Sequence, residues 1–255
     1  MTIRLQNATN LYMEGIRDGN AREAIEAYTG DRYTQHSTGV ADGREGFLAF
    51  FEPFLERNPD RQIDVIRGWE DGRYVFLHVF QSLNGGEAQW VTTDFFDTDD
   101  AGKIIEHWDV IAAYSDSTPS GHTSIDGPSE VTDLDRTDAN KATVRALIEQ
   151  LLMEGGDLSR IEEFVAEEYV QHNAQVADGR AAFAELLTAP DRTLWYDEIV
   201  LLVGSGNFVA TLCRARFDGQ EMAQVDVFRL ADGKVVEHWD NVEVVPENDV
   251  NSGKF

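Results

Sequence analysis

The sequence predicts an α+β fold written twice in one chain of 255 residues. Three observations predict it. Residues 33–51, "YTQHSTGVADGREGFLAFF", return as 169–187, "YVQHNAQVADGRAAFAELL", with nine of nineteen positions identical. Each half then closes on one word, in "GKIIEHWDVI" and "GKVVEHWDNV". Within each half, segments with helical periodicity precede strand-like runs bounded by tight turns, the order of an α+β domain rather than of alternating βαβ units.

The first copy opens with "ATNLYMEGIRDGNAREAIEAY". Leu11, Ile16, Ala24, Ile25 and Tyr28 fall on apolar stripes, and Gly19-Asn20 splits the segment into two helices. A short extended piece carrying His36 follows, then the helix "GREGFLAFFEPFLERN". Four strands complete the copy: "QIDVIRGWE", "GRYVFLHVFQSL", "AQWVTTDFFDT" and "KIIEHWDVIAAY", punctuated by "EDG", "NGG" and "DDAG" and expected to form an antiparallel meander. The second copy repeats the plan from "ATVRALIEQLLMEGGDLSRIEEFV", with Gly155-Gly156 at the break and "GRAAFAELL" as the later helix. The offset between copies is 136 as far as Phe47/Phe183, then 134 at Gly72/Gly206, 132 at Asp94/Asp226 and 131 at His107/His238. The lost residues fall where hairpin loops shorten without disturbing strand pairing. Two copies are too few for a solenoid. The expected boundaries are 1–114 for copy one, 115–138 for a polar linker, 139–246 for copy two and 247–255 for a tail. His122 is expected to be a solvated linker residue.

Hydrophobic residues make up 42% of the chain, a globular proportion, and no run of apolar residues is long enough to span a bilayer. The N-terminal residues show no secretory signal, and one cysteine, Cys213, allows no internal disulfide, so a cytoplasmic protein is expected. The formal charge is −26, which would repel a phosphate backbone and excludes nucleic acid as a natural partner. Of 21 basic residues, 17 are Arg and four are Lys. This acidic, lysine-poor composition resembles that of proteins from salt-loving microbes and predicts a fold that gains stability from screening.

Five of the six histidines sit on predicted elements among acids. In copy one these residues are His36, His78, Asp94, His107 and Asp109; in copy two they are His172, Asp226, His238 and Asp240. Side chains alternate along a strand, so His107 and Asp109 share a face while Trp108 points the other way, and His238 and Asp240 flank Trp239 likewise. Such a pair suits acid–base work, although a buried His–Asp pair can also do no more than satisfy hydrogen bonds. Asp94 in "WVTTDFFD" and His78 in "VFLHVF" interrupt apolar runs, which is costly unless they face a wet or ligand-filled cavity. Trp90, Thr92, Phe80 and Gln224 are candidate ligand contacts. The series Phe47, Phe50, Phe51 and Phe54 has helical spacing and reads mainly as core. Two His and an Asp could hold a divalent ion, but no metal or cofactor is expected.

The runs "YTQHS…DGREGFLAFF" with "DFFDTDDAGKIIEHWDVI", and "YVQHN…DGRAAF" with "DVFRLADGKVVEHWDNV", resemble the SnoaL-like branch of the NTF2-like superfamily. The resemblance implies two tandem cone-shaped α+β barrels. Each is a curved antiparallel sheet wrapped by about three helices around a pocket, and the two pair as a pseudo-dimer with Trp108 and Trp239 as interface residues. A further homodimer is compatible with it. Polyketide cyclases of this branch close a ring by intramolecular aldol condensation without metal or cofactor. Their acid–base Asp corresponds to Asp109 and Asp240. Their assisting polar residue corresponds to Asp94 and Asp226, where the cyclases tend to carry His, and a nearby Gln corresponds to Gln224 and is replaced by Thr92 in copy one. The implied function is a cofactor-independent acid–base enzyme, of aldol cyclase, isomerase or dehydratase type, acting on a small apolar carbonyl compound. In it Asp109 is the base, and His107, His78 or His36 stabilises the enolate or returns the proton. The alternative is a non-catalytic binder of small hydrophobic ligands. Copy one carries the richer polar set, since Leu212 stands where it has His78.

Overall fold

The computed structural model describes residues 1–255. The chain divides into two compact units, Met1–Ala113 with Val245–Phe255, and Tyr114–Val244.

In the first unit, helix α1 (Ile3–Asn10) continues as a π-helical stretch through Leu11–Arg17. Gly19, at φ 83°, breaks the path before α2 (Ala21–Tyr28); a β-carbon there would be strained. Strand β1 (Thr29–Gln35) leads to α3 (Gly43–Arg57) and then to β2 (Arg61–Asp71), β3 (Tyr74–Leu83), β4 (Ala88–Thr98) and β5 (Ile104–Ala113). The sheet order is β1-β5-β4-β3-β2. The last four strands form the expected meander, but β1 lies parallel to β5, so the sheet is mixed. That pairing joins segments some seventy residues apart in sequence, and no local pattern announces it. One residue of β5, Ile105, bulges between the pairs Thr98↔Ile104 and Asp97↔Glu106. A second bulge interrupts β2 between Val65 and Arg67; such insertions bend a sheet. Ala8, Leu11, Ile25, Phe47, Leu77 and Phe96 belong to one buried cluster between helices and sheet.

The second unit repeats this order with α4 (Thr137–Leu147), π-helical in its extension Ile148–Leu152, α5 (Ile161–Phe164), β6 (Val165–Gln171), α6 (Arg180–Thr188), β7 (Trp195–Ser205), β8 (Phe208–Phe217), β9 (Gln220–Ala231) and β10 (Lys234–Val244). Its sheet order is β6-β10-β9-β8-β7, again with the first strand parallel to the last. Val236 bulges where Ile105 does. Five residues separate the paired Thr98 and Ile104, and four separate Leu230 and Val235, so the one-residue slack between Asp94 and Asp226 lies in that turn.

Neither the expected linker nor the expected tail is free. Residues 115–138 belong to the second unit, where Ser120 Oγ donates to Gln171 O at 2.6 Å and Trp239 Nε1 donates to Asp126 O at 3.0 Å. Residues 247–255 belong to the first, where Asn251 Nδ2 donates to the carbonyls of Ser37 and Val40 at 2.7 and 2.9 Å. Both segments satisfy buried polar groups of the sheet and of the loop after its first strand, which is why polar sequence is ordered there. Cys213 is buried, and burial pushes its thiol pKa up, so it is no nucleophile. No helix is long and apolar enough to cross a membrane.

Two candidate ligand cavities

The repeated words "QH" and "EHWD" interlock. The parallel register sets Gln35 beside His107, and the pleat sends alternate residues to opposite faces. On the inner face Gln35 Oε1 accepts the backbone N–H groups of His36 and Ser37, both at 3.0 Å, and faces His107 Nδ1 at 2.8 Å. Backbone N–H groups only donate, so they fix the amide orientation, and an amide oxygen opposite Nδ1 fixes the proton there. His107 Nε2 then meets Asp94 Oδ1 at 2.9 Å. On the outer face Trp108 stacks on His36 with centroids 4.8 Å apart, Glu106 lies 3.0 Å from His36 Nε2, and Gly253 O accepts from Nδ1. The second unit repeats both layers. Gln171 Oε1 accepts from His238 Nδ1 at 2.9 Å, and Trp239 stacks on His172, whose Nε2 meets Glu237 at 2.9 Å.

Antiparallel pairing places Asp94 directly across from Asp109, and Asp226 across from Asp240. Asp94 is fully buried and accepts from Tyr12 OH at 2.7 Å and Thr92 Oγ1 at 2.9 Å in addition to its contact with His107. Burial raises its pKa, which the bond to His107 partly offsets and the Asp109 charge reinforces. Asp226 accepts from Tyr196 OH at 3.0 Å and lies 2.9 Å from His238 Nε2. Burial alone would lower the His238 pKa, yet its bond to Asp226 and the charges of Asp226 and Asp240 raise it overall. Burial also raises Asp240, with His238 working against it.

The two carboxylates across the strand pair, Asp109 and Asp240, are held differently. Asp109 accepts from Ser37 Oγ at 2.7 Å and lies 3.5 Å from Lys254 Nζ, an ion pair almost wholly buried. Asp240 instead accepts amide donors, Asn173 Nδ2 at 2.7 Å and Gln224 Nε2 at 3.3 Å. Lys254 ends the run "SGK" at 252–254, and "SGH" stands at 120–122 in the segment on the second unit. Gly253 and Gly121 share a positive φ, 93° and 81°. His122 is therefore not a free linker residue: its ring packs 5.1 Å from His172 and faces Asp178 at 3.4 Å.

A cavity of about 210 Å³ opens inside the first unit and one of about 270 Å³ inside the second. His107, Asp109, Trp90 and Thr92 line the first, with Asp94 behind His107. Asp226, His238, Asp240 and Gln224 line the second. His78, Phe80, His36 and His172 do not join them. His78 pairs with Thr93 and Phe80 with Val91, on the face opposite Asp94, and His78 Nδ1 takes Arg67 Nη1 at 2.9 Å. His36 and His172 follow Gln35 and Gln171 in the chain and so face outward to their tryptophans. Phe47, Phe50, Phe51 and Phe54, read as core, wall the first cavity, whereas Phe183, Leu186 and Leu187 wall the second, which is more aliphatic. One ligand atom from each of Asp94, His107 and Asp109 lies within 4.8 Å of the others. A metal there would have to displace Asp94 or Gln35 from His107, since both ring nitrogens are engaged.

Sequence reasoning missed Tyr12, Tyr33, Tyr169, Tyr196 and Lys254. Tyr33 and Tyr169 open the repeated phrase and were visible in it; "SGK" and "SGH" extend the repeat past its last strand. Tyr12 and Tyr196 stand at positions that do not correspond, so self-comparison could not single them out.

A family model described as a SnoaL-like domain matches residues 10–107 and 144–238. No curated protein is similar enough in sequence to match. Among solved structures, a provisionally assigned ketosteroid isomerase from Kribbella flavida DSM 17836 is 17% identical, with 44% of this chain and 84% of that chain covered and a TM-score of 0.39. A provisionally assigned polyketide cyclase from Bacillus cereus ATCC 10987 is 18% identical over 43% and 74%, TM-score 0.39. An LEH-like epoxide hydrolase from M. tuberculosis is 18% identical over 42% and 85%, TM-score 0.37. Each overlaps less than half of this chain.

Proposed function

Since the chain belongs to the SnoaL-like domain family through both of its halves, we propose that each domain binds a small apolar carbonyl compound and that the first removes a proton from the carbon beside the carbonyl. The observation that carries this reading is Asp109, a carboxylate at the wall of a cavity whose lining includes the apolar Leu11, Phe47, Phe51, Phe54 and Phe96 beside the polar Tyr33, Gln35 and His107. Apolar walls hold a ring system and exclude bulk water from the carboxylate. The neighbouring His107 Nε2 is paired with Asp94 at 2.9 Å rather than with Asp109. With both nitrogens engaged, His107 orients Asp94 rather than shuttling protons. No metal or cofactor enters this scheme.

A second reading, binding without turnover, is favoured for the second domain. There both Asn173 and Gln224 donate to the same oxygen of Asp240 and work against the rise that burial gives its pKa, which weakens it as a base.

The probe is 2-tetralone, an aromatic ketone with exchangeable α-protons. In heavy water the protein is expected to accelerate loss of those proton signals. Asp109→Asn should lower the rate by about 10²–10⁴-fold with binding retained. Binding by the unmodified protein without exchange above buffer would leave the binding-only reading standing.

A further inference from the structure

We propose that Tyr33 in the first domain and Tyr169 in the second are the hydrogen-bond donors that seize the ligand's oxygen; only the kinetic part of this proposal rests on the acid–base reading above. Both side chains line their cavities and are nearly inaccessible, at 4% and 2% exposure. Gln35 Nε2 donates to Tyr33 OH at 3.2 Å, and Gln171 Nε2 donates to Tyr169 OH at 3.2 Å. The direction is forced. The oxygen of each amide already accepts two backbone N–H groups and a histidine N–H, so its nitrogen must face the tyrosine, and an amide nitrogen can only donate. Each phenol oxygen is thus an acceptor toward glutamine, and its own proton is not spent on any group of the protein.

Several other hydroxyls around the cavities are committed. Tyr12 and Tyr196 donate to Asp94 and Asp226, and Ser37 donates to Asp109. A buried hydroxyl proton without an acceptor is costly, and the same arrangement recurs in two domains. An acceptor supplied by a bound molecule explains both. Donation from glutamine polarises the phenol and makes its O–H a better donor. Burial, reinforced by the carboxylates, raises both phenol pKa values, so the proton stays in place.

The ligand class follows from the pairing of groups. A neutral O–H donor beside an aspartate suits an uncharged carbonyl oxygen and disfavours carboxylates and phosphates, which Asp109 and Asp240 would repel. In the proton-transfer step Asp109 takes the α-proton, the C–H electron pair forms the C=C bond, and the carbonyl π electrons move to oxygen. Tyr33 O–H stabilises that oxygen without transferring its proton. Reversal returns a proton, or a deuteron from heavy water, to carbon.

The test compares 2-tetralone with tetralin, the same skeleton without oxygen. The unmodified protein should bind 2-tetralone at least about tenfold more tightly, as one hydrogen bond to a desolvated oxygen would give. Tyr33→Phe and Tyr169→Phe should each abolish the preference in one cavity, and the double variant should bind both compounds equally. Tyr33→Phe should also slow α-proton exchange by about 10²–10³-fold. In the unmodified protein the C=O stretch of bound 2-tetralone should move to the hydrogen-bonded position, which checks the contact even where a Phe variant folds poorly. A preference that survives in the double variant, or an unshifted C=O stretch, overturns the proposal. Binding without proton exchange would sink the acid–base reading while the affinity comparison still decides the tyrosines.

Discussion

Tyr12 and Tyr196 bring the same phenol to the same carboxylate from different places. Tyr12 rises from the π-helical end of the first helix, where the second domain has Ile148. Tyr196 comes from β7, and the residue of β2 at that register is Ile63, since Ile63↔Gln81 corresponds to Tyr196↔Ala215. Phenol and isoleucine have exchanged positions, and Asp94 and Asp226 each still gain a donor. The carboxylate imposes this requirement, because burying it without donors would cost several kcal/mol. The His238–Asp226 pair has a consequence in pH. The folded-state pKa of His238 is raised above its ordinary 6.5, so the stabilisation it brings is fully present below that value and lost as pH rises through the folded value. An NMR titration should find its midpoint above 6.5 in the unmodified protein and at lower pH in Asp226→Asn, where only the Asp240 charge still opposes burial. A midpoint that does not move would show that Asp226 is not what raises it.

At the scale of elements, one parallel contact organises each domain. β1 runs beside β5, and alternation sends Gln35 to His107 on one face and His36 to Glu106 and Trp108 on the other. The copies therefore keep "QH" and "EHWD" together. Period-two reasoning could place His107 and Asp109 on one face, because that relation is local. It could not place His36 or His78 relative to them, because face depends on which strand lies alongside. The segments 115–138 and 247–255 likewise read as spacer and tail, since their cohesion comes from hydrogen bonds to distant loops rather than from apolar periodicity. Gly127, at φ 88°, lies so close that a β-carbon would sit 2.6 Å from Glu237 and 2.8 Å from Trp239. Gly127→Ala should lower the stability of the second domain by about 1–3 kcal/mol, read from urea unfolding followed by tryptophan fluorescence. An unchanged midpoint would mean that the segment does not contribute to the fold.

Across the whole molecule, charge is the dominant sequence property. A net −26 places repelling carboxylates over the surface, and their repulsion extends about 10 Å in 0.1 M salt but only about 3 Å at 1 M. The melting temperature should therefore rise by several degrees between about 0.1 M and about 2 M KCl, a range in which screening becomes almost complete. A flat response in a thermal scan would remove electrostatic self-repulsion as a limit on stability. The two domains need not answer to one ligand: Phe47, Phe51 and Phe54 wall the first cavity, and Leu186 and Leu187 stand in the second.

The duplicated α+β plan, the order of elements and the inward His–Asp pairs were determined by the sequence itself, because periodicity and turn chemistry act between near neighbours. Only the tertiary structure decided which face His36, His78 and Phe80 occupy, that phenols from unlike positions serve one carboxylate, and that Lys254 is buried against Asp109. Those outcomes depend on contacts between residues far apart along the chain, where a side chain's partner is set by strand order and packing rather than by its neighbours in sequence.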